Sequence, residues 1–198
     1  MSADTINAWI SISRSARMDV KPYYGMSRRC YLQELQNKFG DFRVAIGWIN
    51  KETGELIWSK HRSVLSCWES EEGLEFLDRV NNRTAFETEI RIDTDPTKDE
   101  TAEQALKKFN DVCDKLESFG IKSYQGYFSG SRGYHVHLRS NDFLNNNKKW
   151  EIKQAFIDVF GGDLLKASDN TMLTLEWSPN NKTGKPKVPI RGVFDEFD

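Results

Sequence analysis

Phe128-Ser-Gly-Ser-Arg-Gly-Tyr-His-Val-His137 is the stretch on which the reading of this chain turns. Residues 122–128, Lys-Ser-Tyr-Gln-Gly-Tyr-Phe, lead into it and read as an aromatic-rich strand. Gly130 and Gly133 mark a tight turn, where backbone N–H groups can come close to an anion. A second strand follows. Alternation along it puts Tyr134, Val136 and Leu138 on one face and His135, His137 and Arg139 on the other. Ser129, Arg132 and His135 then converge on one phosphate, offering a hydroxyl, a guanidinium fork and an imidazole. The plainer reading of the same residues is a glycine-rich hairpin with a solvated polar face.

Working outward toward the N-terminus, residues 86–95 read Phe-Glu-Thr-Glu-Ile-Arg-Ile-Asp-Thr-Asp. Phe86, Ile90 and Ile92 share one face of a strand, and Glu87, Glu89, Arg91, Asp93 and Asp95 share the other. Asp93 and Asp95 form a D-x-D pair at the strand's end. Two carboxylates on one side can hold a hard divalent cation such as Mg²⁺ or Mn²⁺. Alone the pair is most often a solvated acidic strand end. Next to an anion-cradling turn it gains meaning, because a nucleoside triphosphate needs both metal and cationic donors. His135 and His137 on one face also suggest zinc. His61 is the only other histidine and no cysteine is near, so three or four ligands are not in view.

The remaining elements follow from periodicity. Residues 28–39 predict a helix stopped by Gly40, 42–49 a strand, and 50–54 a turn into a hairpin partner at 55–60. Ser70 predicts the cap of a helix reaching Val80. Thr97 and Glu100 suggest a capping box for a helix to Phe119, with Ala102, Ala105, Leu106, Phe109, Val112, Cys113, Leu116 and Phe119 as its apolar stripe. A further helix is predicted over 148–160, before Gly161-Gly162, and a short strand over 171–177. The basic run Lys182-Thr-Gly-Lys-Pro-Lys187, followed by Arg191, is either a solvated loop or a phosphate contact. It lacks the spaced glycines of a P-loop.

Composition sets the bounds. The chain has 198 residues, 38% of them hydrophobic and 12% aromatic, enough for a packed core. A net charge of −2 does not suggest a nucleic-acid binder with a broad basic surface. Cys30, Cys67 and Cys113 are far apart, which argues against a disulfide framework or a cysteine zinc knuckle. No apolar run approaches a membrane span and the N-terminus has no signal-peptide core, so an intracellular protein is expected, in the cytoplasm or nucleoid, or the nucleus of a eukaryote.

Together these residues resemble the small catalytic subunit of archaeal and eukaryotic primases, from about Tyr24 onward. Phe128 to His137 resembles that family's second motif and Glu89 to Asp95 its first. Lys182-Thr-Gly184, Val188-Pro-Ile190 and Phe194 to Asp198 are similar to the segment after its third acidic motif, and Lys60-His-Arg-Ser63 to a weaker upstream one. The resemblance implies a metal-dependent nucleotidyltransferase that makes short primers on single-stranded DNA from nucleoside triphosphates. It implies Asp93 and Asp95 as Mg²⁺ or Mn²⁺ ligands, and Ser129, Gly130, Arg132, Gly133, His135, Asn180 and Lys182 as nucleotide contacts. The family's spacing makes Asp163 the third metal carboxylate, with Asp169 and Glu176 as rivals. Glu176 has the better strand context.

Departures from the family's pattern are also visible. Ser131 stands where a second arginine or asparagine is common, Thr174 in the place of a basic residue, and Asn180 in that of a histidine. The zinc-binding insertion is missing. A compact or divergent member is therefore expected, with one α+β catalytic domain over 1–198, residues 1–26 being an extension, and a mixed sheet flanked by helices. A large primase subunit or a helicase is the expected partner. The alternative is an accessory subunit that keeps the nucleotide site without catalysis.

Overall fold

The computed structural model describes residues 27–139, 148–163, 168 and 170–192. The extension at 1–26, Asp169 and the acidic tail from residue 193 lie outside them.

The first half of the chain builds one sheet and its helical cover. Helix α1 (Arg28–Phe39) forms where periodicity puts it, with the Ser27 hydroxyl accepting from the Cys30 N–H. The strand expected over 42–49 divides into β1 (Arg43–Ala45) and β2 (Gly47–Ile49), which join different sheets. Ser59 causes the break. Its hydroxyl accepts the Ile46 N–H at 2.9 Å, and its N–H donates to the Ile46 carbonyl at 2.8 Å. Strand β2 pairs with β3 (Leu56–Trp58) in the predicted hairpin, with Gly47 opposite Trp58 and Trp48 opposite Ile57.

Three short elements had no sequence signal: β4 (Arg62–Ser63), α2 (Val64–Cys67) and β5 (Asn82–Arg83). Helix α3 (Glu71–Arg79) is capped by Ser70 as expected. Leu77 is its fully buried apolar residue, while Leu74 and Phe76 are half-buried.

The second sheet runs in the order β10–β7–β8–β6, with β6 at Glu89–Asp93, β7 at Tyr124–Phe128, β8 at Tyr134–Arg139 and β10 at Val188–Gly192. The basic run at 182–191 gives no sequence sign of strand β10. Two helices cover this sheet, α4 (Ala102–Ser118) and α5 (Lys149–Phe160). Helix α4 starts later than expected. The capping box is Thr101 with Gln104, whereas Glu100 only accepts the Thr97 N–H in the turn before it. Ala105, Phe109, Val112, Cys113 and Leu116 face inward, while Ala102 and Leu106 are exposed. They pack with Ile90, Ile92, Val136 and Leu138 and with Phe156, Ile157 and Phe160 of α5. Burial at about 25 cal/mol per Å² of apolar surface makes this core a main source of stability. A second core joins α1 and α3 to Val44, Phe86 and Leu175.

The α+β reading holds. Among the described residues every strand pair is antiparallel, where a mixed sheet was expected. The strand expected over 171–177 shrinks to β9 (Leu173–Thr174), and Glu176 and Trp177 fall in a turn with Trp177 at φ 63°.

The polar face of β6 is not solvated. Glu89, Arg91 and Asp93 are as buried as Ile90 and Ile92. That face meets the other sheet through an ionic network. Arg83 donates to both Glu89 oxygens (2.7 and 2.8 Å) and both Glu176 oxygens (3.0 and 2.8 Å). Buried ions cost several kcal/mol each unless they are paired this fully. The Arg139 guanidinium stacks 4.0 Å from the centre of Phe39 and 4.9 Å from that of Phe86. Such stacking suits a weakly hydrated, planar cation.

Candidate active site

The D-x-D pair and the Ser129–His135 turn meet because their strands are neighbours. Asp93 is directly opposite His135 in the β6–β8 register, with the imidazole Nε2 4.0 Å from the carboxylate. The Asp95 N–H donates to Asp93 Oδ1 at 3.0 Å, which orients the first carboxylate. Ligand atoms of Asp93, Asp95 and His135 all lie within 4.8 Å of one another. Asp93 and His135 are buried and Asp95 is exposed. Two carboxylates and an imidazole suit a divalent cation. The bare backbone of Gly133 leaves room for the Asp95 carboxylate beside them. The donor set therefore fits the metal that the resemblance implies.

The turn is closed by the Ser129 N–H donating to the Gly133 carbonyl at 3.0 Å, and Ser131 N–H points at the Ser129 hydroxyl at 3.4 Å. Gly130 has φ 85°, and a Cβ there would come within 2.4 Å of the Lys185 carbonyl. Glycine is therefore required by both conformation and space. Residues 180–185 clip onto this turn. Asn180 Nδ2 donates to the Ser129 carbonyl at 3.2 Å, and the Thr183 hydroxyl donates to the Gly130 carbonyl. The Asn180 side-chain oxygen also accepts the Lys182 N–H at 2.9 Å.

A cleft of about 370 Å³ opens over these groups. Asp93, Asp95, Ser129, Arg132, Gly133, His135, Asn180 and Lys182, eight of the ten expected site residues, line it. Thr174 lines it as well, where a basic residue was expected. Arg132 is exposed on the turn and Ser129 is buried at its base. Gly130 faces the clip instead of the cleft.

Asp163 is outside the three-residue cluster. Its N–H donates to the Asp93 carbonyl at 3.2 Å, so the spacing argument has found a neighbour of the acidic strand end. Glu176, the rival with the better strand context, is not in a strand. Its carboxylate is consumed by Arg83 and lies 3.4 Å from Lys187 Nζ. Burial pushes its pKa up, but these cations outweigh burial and hold it well below the usual carboxylate range.

The zinc reading of His135 and His137 fails for His137. Both ring nitrogens are engaged, Nδ1 with Glu89 at 3.0 Å and Nε2 with Lys187 Nζ at 3.1 Å. Burial, then the adjacent Lys187, lowers its pKa to about 3, so the ring is neutral. Lys187 itself is buried and pulled down to about 8, first by burial. The basic run thus divides. Lys182 and Lys185 face solvent, Lys187 belongs to the interior network, and Arg191 pairs with Asp114 and Glu117 of α4.

Sequence reasoning missed the opposite wall of the cleft, which is Leu56 and Trp58 of β3 with Asn82 and Asn181. A tryptophan in a hairpin strand reads as core by default, and only the β2–β3 pairing shows which way it faces. Asn81 fixes this wall. It accepts the Gly47 N–H at 2.8 Å, returns a bond to the Gly47 carbonyl at 2.9 Å, and donates to Asn181 at 2.7 Å.

The chain is primase-like in sequence. It is similar to the DNA primase small subunit PriS of Archaeoglobus fulgidus, 34% identical over 77 residues, a match covering 34% of this chain and 23% of that relative. The chain therefore spans less than a quarter of the length of the curated relative it matches. Among solved structures, the AEP domain of the primase-polymerase of cyanophage S-2L aligns over 100% of this chain and 94% of its own, at 14% identity and a TM-score of 0.45. No family model matches the chain. No helix among the described residues is long and apolar enough to cross a membrane.

Proposed function

We propose that the protein is a DNA-directed primase that joins nucleotides on a single-stranded template. One observation carries this reading: an acidic pair and a glycine-rich phosphate-type turn open from adjacent strands into one cleft. In the reaction a 3′-hydroxyl attacks the α-phosphate of a nucleoside triphosphate. A new P–O bond forms, the α–β bridge breaks, and pyrophosphate leaves.

Asp93 and Asp95 are the residues that would hold Mg²⁺ or Mn²⁺, with Asp163 as the third acid at the same strand end. A bound ion supplies charge neutralisation and a lower pKa for the attacking hydroxyl. Arg132 and Lys182 take the outer phosphates as charge-assisted donors. Ser129 and His135 offer polar contacts from the base of the turn, and Gly130 and Gly133 let the backbone come close. Trp58, across the cleft, stacks on the base. Asn180 acts by holding the turn, because its side-chain amide is committed to the Ser129 carbonyl. Such work is intracellular, and a large primase subunit or a helicase is the partner this reading expects.

A second reading, a nucleotide-binding accessory without catalysis, is favoured by Thr174 and the committed Asn180, which leave two basic contacts unfilled. The test is primer synthesis on single-stranded DNA with labelled nucleotides and Mg²⁺ or Mn²⁺, beside an Asp93→Ala/Asp95→Ala control. Product that disappears in the control supports the enzyme. Metal-dependent nucleotide binding without product supports the accessory. Absence of both overturns the proposal.

A further inference from the structure

The β2–β3 hairpin has two faces, and the active-site cleft uses only one. Trp58 and Leu56 face that cleft. Trp48, opposite Ile57 in the register, points to the other side. There a second hollow of about 400 Å³ is lined by Ile46, Trp48 and Phe76, with Lys60, Arg62 and Arg79 around them. Trp48 is 44% exposed, a large aromatic surface left in water. Arg62 lies 4.7 Å from the centre of the Phe76 ring and pairs with Glu72 at 2.6 Å, so it is held flat against the apolar floor. Lys60 and Arg79 are exposed and have no ion-pair partner among the described residues. Among the described residues no acidic side chain lines the hollow, and Glu72 reaches Arg62 from outside it.

Exposed aromatic faces combined with cations on the rim are what an unpaired nucleic-acid strand needs. Bases stack on the rings and phosphates meet the cations, without base-specific hydrogen bonds. A nucleoside triphosphate alone would leave most of this surface unused. An acidic peptide would satisfy the cations, but it would not require Trp48 to be exposed.

We propose that the Trp48 face of the hairpin is a binding site for single-stranded nucleic acid, separate from the metal cleft and sharing its wall. The site rests on the template-directed reading above and gives the template a seat. A strand lying on Trp48 is one hairpin thickness from Trp58, so the segment held there flanks the templating base, which itself pairs with the incoming nucleotide in the cleft.

The test is fluorescence-anisotropy titration of the full chain with a labelled oligothymidylate, in the absence of divalent metal and at several salt concentrations. Trp48→Ala is expected to weaken binding on the order of tenfold, the usual worth of one aromatic stack. Lys60→Ala/Arg79→Ala is expected to lower the salt slope by about 1.4, roughly 0.7 for each phosphate contact on a single strand. Trp150→Ala, which removes a 53% exposed tryptophan on α5, should bind as the wild type does. The titration contains neither divalent metal nor nucleoside triphosphate, so its outcome is independent of the assignment of the cleft. Circular dichroism confirms that each surface variant is folded. The site is overturned if the wild type does not bind the oligonucleotide, if Trp48→Ala and Lys60→Ala/Arg79→Ala bind normally, or if polyglutamate competes as well as oligothymidylate.

Discussion

Gly133 and Asp95 are packed so closely that a Cβ on Gly133 would be 1.5 Å from Asp95 Oδ1 and 3.1 Å from Asp95 Cα. The Ser129–His135 turn therefore also shapes the space that the Asp95 carboxylate occupies. In Gly133→Ala the exposed Asp95 side chain must swing away. We expect a melting temperature near that of the wild type, but Mn²⁺ affinity reduced at least tenfold by calorimetry. Nucleotide incorporation should fall about 100-fold, since displacement of a reacting group by about 1 Å costs that much.

Glu176 is structural in this arrangement. Glu176→Ala leaves Arg83 and Lys187 buried without their main counter-charge, at a cost of about 3–5 kcal/mol. Urea denaturation should show that loss. Calorimetric titration of the remaining folded protein with Mn²⁺ should give wild-type affinity, which a metal-ligand role for Glu176 would not permit.

The neutral His137 gives stability a defined pH dependence. Its folded pKa is about 3, against 6.5 for an ordinary histidine. Between those values the unfolded chain binds the extra proton, so stability falls as pH drops from 6.5 toward 3. Glu89 and Glu176, held low by their cations, add a loss in the same direction below about pH 4.5. His137→Gln should therefore flatten the stability profile between pH 6.5 and 4.5, where the histidine acts without the two glutamates, as read by urea midpoints in a pH series.

Trp58 forms the cleft wall facing the acidic pair. If it carries the base of the incoming nucleotide, Trp58→Ala should raise the nucleotide KM by about 10-fold, in line with about 1–3 kcal/mol per stacked base. Mn²⁺ affinity should not move, because Asp93 and His135 lie in β6 and β8 and Asp95 just after β6, none of them in the β2–β3 hairpin.

The two motifs that meet in the cleft were legible in the sequence because each lies within a few residues of chain. A D-x-D at a strand end and Ser129 to His135 around two glycines declare themselves through alternation and turn chemistry. The partners supplied by distant chain did not. Arg83 gave no sign that it would bridge Glu89 and Glu176, nor Lys187 that it would lie under His137, because buried charge looks like surface charge until the sheets stack. Glu176 has the sequence context of a strand carboxylate, yet it sits in a turn and its charge is spent on Arg83 and Lys187. Strand β10 was hidden by its lysines and proline, and β4 and β5 are two residues each, too short to show a period. The division of 42–49 depends on Ser59, a residue that no local window includes.

The clip of residues 180–185 over Ser129 and Gly130 has a consequence for how the protein is made. Chains emerge from the ribosome N-terminal end first. The acidic pair and the glycine-rich turn are synthesised by residue 133, yet the clip, Lys187 and the edge strand β10 come some fifty residues later. Until those have emerged, the turn lacks its Asn180 and Thr183 bonds and β7 has an open edge. The motifs are written first, but the turn they form is clipped only once residues 180–192 have emerged. A nascent chain stalled before Asn180 would carry both motifs without the bonds that close the turn.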